Sequence, residues 1–307
     1  MADSFDILII GGGGAGLTAA LYASRAKLKT VLFEKLVPGG QIALTDMVEN
    51  YPGFPEGVTG GDISNRMAEQ AKKYGTAFFY EAVESVVKTN QLFQVKTKKS
   101  THQTKSIVIA SGAFYRQVGV PGEKELIGKG VSYCAICDGA FFKGKEIVVV
   151  GGGDSAMQEG IFLTRFITKL SVLHRRDKLR ASAILQERAK SNPKIQFIWD
   201  TVVTAVQGKD RVEGVRLKNV KTGVERDFKT DGVFVFIGQD PATKFLKGFI
   251  DLDEKGYVIT KENLETSVPG AFACGEVRKG AVKQLVSACG EGCEAALAAQ
   301  AYVENMS

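Results

Sequence analysis

Short apolar runs ending at glycine, rather than long amphipathic ones, organise this chain. FDILII (5–10) runs into four glycines and EIVVV (146–150) into three. Runs of this length, closed by glycine, predict short apolar strands. After each glycine cluster the period changes. LTAALYASRAK (17–27) and MQEGIFLTRFI (157–167) predict helices, and KTVLFEK (29–35) and KLSVLHRR (169–176) predict second strands. Behind the first such unit come a turn-rich loop, VENYPGFPEGVTG (48–60), a helical stretch, and a hairpin in LFQVKTKKSTHQTKSIVIASGA (92–113). SIVIASGA predicts a strand ending at Ser111-Gly112, and DGVFVFIGQDP (231–241) is its counterpart behind the second unit. NLETSVPGAFACGEV (263–277) then predicts a strand ending on Gly275-Glu276, with a closing helix from about Lys283. The second unit is therefore an insertion in the first. The expected fold is α/β, with two Rossmann-like dinucleotide-binding domains, the second inserted in the first. The expected boundaries are 1–116 and 244–307 for the outer domain and 117–243 for the insert.

The glycine clusters carry one fingerprint twice, Gly11-x-Gly13-x-x-Gly16 and Gly151-x-Gly153-x-x-Ala156. A single copy is weak evidence; two copies, each in a strand–turn–helix–strand frame, are strong. The glycines allow a tight turn and close approach of a pyrophosphate, and the helix start supplies N–H donors and a positive dipole end. The copies diverge where the second strand ends. Glu34 lies 23 positions after Gly11, and His174 lies 23 after Gly151. A carboxylate there accepts from a ribose 2′-hydroxyl, which suits FAD or NAD. The second copy instead reads His174, Arg175, Arg176 and, four further on, Arg180. Guanidiniums bind a 2′-phosphate with paired hydrogen bonds, so NADPH is the expected nucleotide of the insert.

Charge sharpens that assignment. Residues 165–190 carry eight Lys/Arg against Asp177 and Glu187, an excess of +6 equal to that of the whole 307-residue chain. Spread over the molecule, +6 would argue for no nucleic-acid partner; concentrated here, it has a nucleotide phosphate to serve. Composition is otherwise that of an ordinary globular protein, 44% apolar and 24% charged. MADSFDILII has no basic leader region and no cleavage site, and no apolar run reaches the ~18 residues of a membrane span. A cytoplasmic protein without membrane attachment is expected.

Five cysteines, an odd number, do not make a disulfide framework. Cys134 and Cys137 form a Cys-x-x-Cys pair followed at once by Asp138. Such a pair can be half a zinc site, a structural staple or a working dithiol. Zinc needs four ligands, and the remaining choices are Cys274, Cys289, Cys293, His102 and His174. His174 is already engaged at the nucleotide and His102 lies in a Lys-rich hairpin; Cys289 and Cys293 sit among Ala and Gly and Cys274 ends a buried-type strand, so all three read as structural and no metal is expected. A staple closing so small a loop stabilises little. A dithiol uses its thiolate, whose pKa a helix start lowers, and DGAFF (138–142) can begin such a turn. Asp138 is then the expected proton carrier.

The two fingerprints, GGQ (39–41), VENYPG (48–53), CAICDG (134–139), HRRDKLR (174–180) and PGAFACGEV (269–277) together resemble low-molecular-weight, bacterial-type thioredoxin reductases over nearly the whole chain. The cysteine pair inside the insert is the most specific mark. The resemblance implies an FAD pyrophosphate at Gly11, Gly13, Gly14, Ala15 and Gly16, with Glu34 on the ribose and Lys35 in the same cofactor site. Gly40, Gln41 and Asn50 would lie near the ribityl and flavin, Val83 near the adenine, and Ala110, Ser111 and Gly112 along the cofactor. Gly275, Glu276, Lys283, Gln284 and Leu285 would hold the ribityl chain and flavin edge. NADPH would use Gly151, Gly153, Asp154, Ser155, His174, Arg175, Arg176, Arg180, Ile237 and Gly238. Three positions depart from the family: Glu276 stands where it has Asp, and Lys283 and Leu285 stand in Lys283-Gln284-Leu285 where it has Arg-Gln-Ala.

The implied reaction passes hydride from NADPH to FAD, two electrons to a Cys134–Cys137 disulfide, and then a dithiol exchange with a partner's disulfide. Either cysteine can be the attacker. The partner would be thioredoxin or a thioredoxin-like or glutaredoxin-like protein, and the enzyme a homodimer. Disulfide and NADPH would reach the flavin in turn by rotation of the insert about Phe114–Pro121 and Gly238–Lys244. Rival readings are an FAD-dependent dithiol oxidase, a ferredoxin-dependent reductase of the same fold, and a non-enzymatic flavin redox sensor. The arginine loop counts against the first two, and the cysteine pair with its neighbouring acid against the third.

Overall fold

Strand β1 (Ser4–Ile10) shows why its second half, Ile7–Ile10, is wholly apolar. Ile7 and Ile9 enter one core cluster with Leu17, Ala20 and Ala296, while Leu8 and Ile10 enter another with Phe33 and Phe93. A strand covered on both faces has no position for a polar side chain. Phe33 and Phe93 are fully buried, each contributing about 1.5–3 kcal/mol.

The computed structural model describes residues 4–45 and 47–306. It divides into two units, Met1–Phe114 with Asp240–Ser307, and Tyr115–Gln239. In the first, β1 leads to α1 (Gly14–Arg25), β2 (Thr30–Phe33), α2 (Gly60–Lys73), β3 (Ala77–Phe79) and the run β4 (Val83–Thr89), β5 (Leu92–Thr97) and β6 (Thr101–Ile109). Strands β3, β2, β1 and β6 lie parallel in that order, and β5 and β4 continue the sheet antiparallel. Thr59 caps α2 by accepting from Asp62 N–H at 3.1 Å, and Lys72 and Lys73 sit at its C-terminal end, where the dipole favours cations. A short strand, β7 (Ala113–Tyr115), then takes the chain out of the unit.

The second unit contains β8 (Val131–Ser132), α3 (Ala135–Asp138), β9 (Glu146–Val150), α4 (Asp154–Leu163), β10 (Lys169–Leu173), α5 (Ala183–Ser191) and β11 (Ile195–Ile198). It continues with β12 (Thr201–Gln207), β13 (Gly214–Asn219), β14 (Glu225–Lys229) and β15 (Gly232–Val235). Its parallel sheet runs β11-β10-β9-β15-β8, and β12-β13-β14 form a separate antiparallel sheet. One face of the parallel sheet packs Ile147, Val149 and Val172 with Met157 and Leu163 of α4. The other packs Val148 and Val233 with Val203, Val215 and Leu217 of the antiparallel sheet. Both nucleotide-type turns therefore end a central, doubly covered strand.

The chain leaves along β16 (Gln239–Pro241), which pairs with β7, and returns to the first unit to add β17 (Ala271–Ala273) beside β6 and close with α6 (Leu285–Glu304). Helix α6 lies on α1 through small residues: a Cβ at Gly292 would stand 2.2 Å from the Ala15 carbonyl oxygen. Two ends differ from expectation. Strand β6 stops at Ile109, leaving Ser111-Gly112 beyond it, and α6 starts at Leu285 because Lys283 takes a φ of 62° and Gln284 is the cap. Among the described residues no helix is long and apolar enough to cross a membrane.

Candidate active site and nucleotide turns

The first turn is built from contacts that exclude side chains. Gly11 has φ 108°, and a Cβ there would stand 2.3 Å from the Ala110 carbonyl oxygen at the end of β6. Gly16 is tighter still: its Cβ would stand 1.8 Å from the Gly11 oxygen, so only glycine lets α1 approach the turn. Glu34 closes the turn, its Oε2 accepting from Gly12 N–H at 2.8 Å and its Oε1 from Leu36 N–H at 3.0 Å. Lys35 lies with its ammonium 4.3 Å from the Phe114 ring centroid.

The segment after β2 is drawn onto this turn. Gly39 N–H donates to Gly12 O at 2.7 Å, and a Cβ at Gly40 would meet Gly13 Cα at 3.3 Å. Gln41 Nε2 donates to Ala113 O at 3.1 Å. From the far end of the chain, Leu285 lies over Gly14, where a Cβ would be 2.4 Å from its Cδ1, and Gln284 Oε1 accepts from Asn50 Nδ2 at 3.1 Å. Gly275 has φ 73° and donates its N–H to Glu291 Oε2 at 2.7 Å, next to Ala15. Ser111 Oγ donates to Ala242 O at 2.9 Å, and Gly112 O accepts from Ala242 N–H at 2.9 Å. Val83 alone is not drawn into these contacts, packing instead against the cluster that holds Phe5 and Phe33.

One atom in this group is unmatched. Glu276 Oε2 is buried with no hydrogen-bond partner among the described residues, and burial raises its pKa while Lys283 lowers it. At Gly13 nothing lies within 4 Å of where a Cβ would stand. An open glycine turn beside a buried, unpaired carboxyl oxygen fits a pyrophosphate-bearing cofactor with hydroxyls to donate. Cys289 supports the wall from behind, buried and with its Sγ 3.8 Å from the Gly14 oxygen.

The second turn repeats the backbone with other closures. Gly151 is in the extended-to-left-handed range at φ 154°, and Gly153 caps α4 with open space around it. A Cβ at Gly152 would stand 2.3 Å from the His174 ring. That ring is buried, with Nε2 3.1 Å from the Lys178 carbonyl, and burial lowers its pKa, with the charges of Arg180, Arg176 and Arg175 acting in the same direction. His174 is therefore packed against the turn and shapes the loop from within. Arg175, Arg176 and Arg180 are exposed, and among the described residues no carboxylate pairs with their side chains. Three free guanidiniums fit an added phosphate. Arg180 N–H donates to Gly152 O at 2.7 Å, which brings its segment onto the turn. Asp154 Oδ1 accepts from Ser182 N–H at 2.6 Å, and Ser155 is exposed on the first turn of α4. At the end of β15, Ile237 leads into Gly238, whose φ is 113° and whose carbonyl accepts from Arg116 N–H at 3.0 Å.

Cys134 and Cys137 are joined as a disulfide, with Cα atoms 5.3 Å apart. The pair straddles the start of α3 rather than preceding one at Asp138, because Cys134 itself is the cap and its Sγ accepts from Cys137 N–H at 3.2 Å. Sequence reasoning missed Ser132. Its hydroxyl donates to Asp138 Oδ2 at 2.5 Å and accepts from Cys134 N–H at 3.1 Å, so the acid and the first cysteine share one anchor. Burial raises the Asp138 pKa, opposed in part by that hydrogen bond. A carboxyl that keeps its proton to higher pH, tied by one hydroxyl to a disulfide, can deliver a proton to a departing thiolate.

Residues 5–292 match the family described as pyridine nucleotide-disulphide oxidoreductase. A thioredoxin reductase of Bacillus subtilis (strain 168) is 49% identical over 303 residues, 98% of this chain and 96% of that one. A thioredoxin reductase of Listeria monocytogenes is 46% identical over 98% of this chain and 95% of its own. The crystal structure of thioredoxin reductase from Streptococcus pyogenes overlays with a TM-score of 0.96 at 43% identity, covering 99% of this chain and 100% of that one.

Proposed function

We propose that this chain, which belongs to the pyridine nucleotide-disulphide oxidoreductase family, is an NADPH-dependent, FAD-containing thioredoxin reductase. The observation that carries the reading is the Cys134–Cys137 disulfide with Asp138 held by Ser132, in the unit whose arginines after β10 have no acidic partner among the described residues. FAD, when bound, supplies the two-electron relay between nicotinamide and disulfide.

The protein's own part follows from its residues. In the first unit, the turn 11–16 offers backbone N–H groups to a pyrophosphate, Glu34 accepts from a ribose hydroxyl, and Glu276 takes a hydroxyl at its unmatched oxygen. Lys283, Gln284 and Leu285 close the flavin side, with Gln284 steadied by Asn50. In the second unit, Gly151 and Gly153 receive the nicotinamide nucleotide's pyrophosphate, and Arg175, Arg176 and Arg180 take its 2′-phosphate. The reduced cysteine pair then acts by exchange: one thiolate attacks a sulfur of the acceptor disulfide, the mixed disulfide is resolved by the other cysteine, and the acceptor leaves as a dithiol. Asp138 holds a proton at its carboxyl for the thiolates formed along the way. Alternation by rotation of the insert, a thioredoxin-like or glutaredoxin-like acceptor, a homodimer and a cytoplasmic location belong to the same reading. The dithiol-oxidase and ferredoxin-dependent alternatives are not favoured, since neither uses a 2′-phosphate site.

Reduction of oxidised thioredoxin is measured with NADPH and with NADH, under nitrogen and in air. The expected result is NADPH-dependent formation of thioredoxin dithiol, lost by more than about 10³-fold in Cys137→Ser. Oxygen consumption without dithiol formation would overturn the proposal in favour of an oxidase.

A further inference from the structure

Lys221 lies on the turn between β13 and β14, remote in sequence from either fingerprint. Its ammonium bridges two carboxylates, Asp200 at 2.9 Å and Asp177 at 3.3 Å. The turn is fixed by its own hydrogen bonds: Asn219 Oδ1 accepts from Lys221 N–H at 3.0 Å and Thr222 N–H at 2.9 Å, and Val220 N–H donates to Asp200 O at 2.6 Å. Both carboxylates border the arginine loop. Asp177 is the only acid in HRRDKLR, and Asp200 N–H donates to the Arg176 carbonyl at 3.4 Å. Arg175, Arg176 and Arg180 are left without acidic partners among the described residues.

These contacts have one chemical consequence. A free carboxylate beside the loop would either pair with a guanidinium or repel an incoming phosphate dianion, and both effects oppose a 2′-phosphate. We propose that Lys221 is a positioning residue for nucleotide specificity: by occupying Asp177 and Asp200 together, it keeps the arginine loop free for a 2′-phosphorylated adenosine. The inference rests on the NADPH reading above and adds to it a residue that never touches the nucleotide. Lys221 and Asp177 are solvent-exposed, at 59% and 62% of their side chains, while Asp200 is 16% exposed, so the expected effect is a modest factor that falls with salt.

The test is calorimetric titration of the flavin-loaded enzyme with adenosine 2′,5′-bisphosphate and with adenosine 5′-monophosphate at low salt. Lys221→Met is expected to weaken the bisphosphate about three- to fivefold and to leave the monophosphate unmoved. Adding Asp177→Asn and Asp200→Asn to Lys221→Met is expected to restore the bisphosphate affinity. In turnover, the KM for NADPH should rise by the same factor while kcat holds. Equal weakening of both ligands, or no weakening of either, overturns the inference while leaving the NADPH reading intact. A wild-type protein that does not prefer the bisphosphate overturns the NADPH reading, and the inference with it.

Discussion

The turns after β1 and β9 have nearly the same backbone and are closed by opposite chemistries. In the first, Gly12 N–H is taken by the Glu34 carboxylate at 2.8 Å. In the second, the corresponding Gly152 lies against the buried His174 ring, whose pKa burial lowers. The third fingerprint position differs too. Gly16 faces the Gly11 oxygen with no room for a methyl, whereas the second turn accommodates Ala156. The two turns thus share a glycine backbone and differ in the residue that closes it, and on the proposed reading that residue selects the adenosine. The comparison also corrects an easy reading of HRRDKLR: His174 builds the loop, and the exposed arginines carry its charge.

Gly16→Ala breaks the comparison most severely. The added methyl overlaps the Gly11 oxygen, so a loss of ~3 kcal/mol or more is expected. Flavin content after purification and urea unfolding would show it, while Ala156→Gly in the second turn should lower the unfolding free energy by only about 0.5–1 kcal/mol. Asp138→Asn comes next, because only the second unit joins a carboxyl to a redox pair. Thioredoxin reduction should fall about 10²-fold. The pH profile supplies the sign: burial raises the Asp138 pKa, so its protonated form is lost as pH rises through that value. The wild-type rate should therefore decline on the alkaline side of the raised pKa, and the variant should lack that limb. Arg176→Ala is the mildest. Its loss of a charge-assisted phosphate contact should raise the KM for NADPH about tenfold and that for NADH less, narrowing the difference between the two turns.

Much of this was legible in residue order. The apolar runs, their glycine stops and the equal spacing to Glu34 and His174 are local features, governed by strand and helix periods and by positive φ at Gly11. The hairpin of β5 and β6 and the closing helix were also legible, apart from a few residues at their ends. The part that could not be read joins residues far apart in the chain. Asn50 meets Gln284 across 234 positions, and Lys221 meets Asp177 across 44. No local pattern encodes such pairs.

The sequence by itself determined two glycine turns in strand–turn–helix frames, a Cys-x-x-Cys motif between them and a basic loop after the second. Only the tertiary structure decided that Ser132 binds both Asp138 and Cys134, that Glu276 is buried with an oxygen unmatched among the described residues, and that one lysine bridges Asp177 and Asp200. The physical reason is that a turn is specified by the conformational limits of adjacent residues. Burial and partnership depend on where distant segments return, and that is known only once the chain has folded.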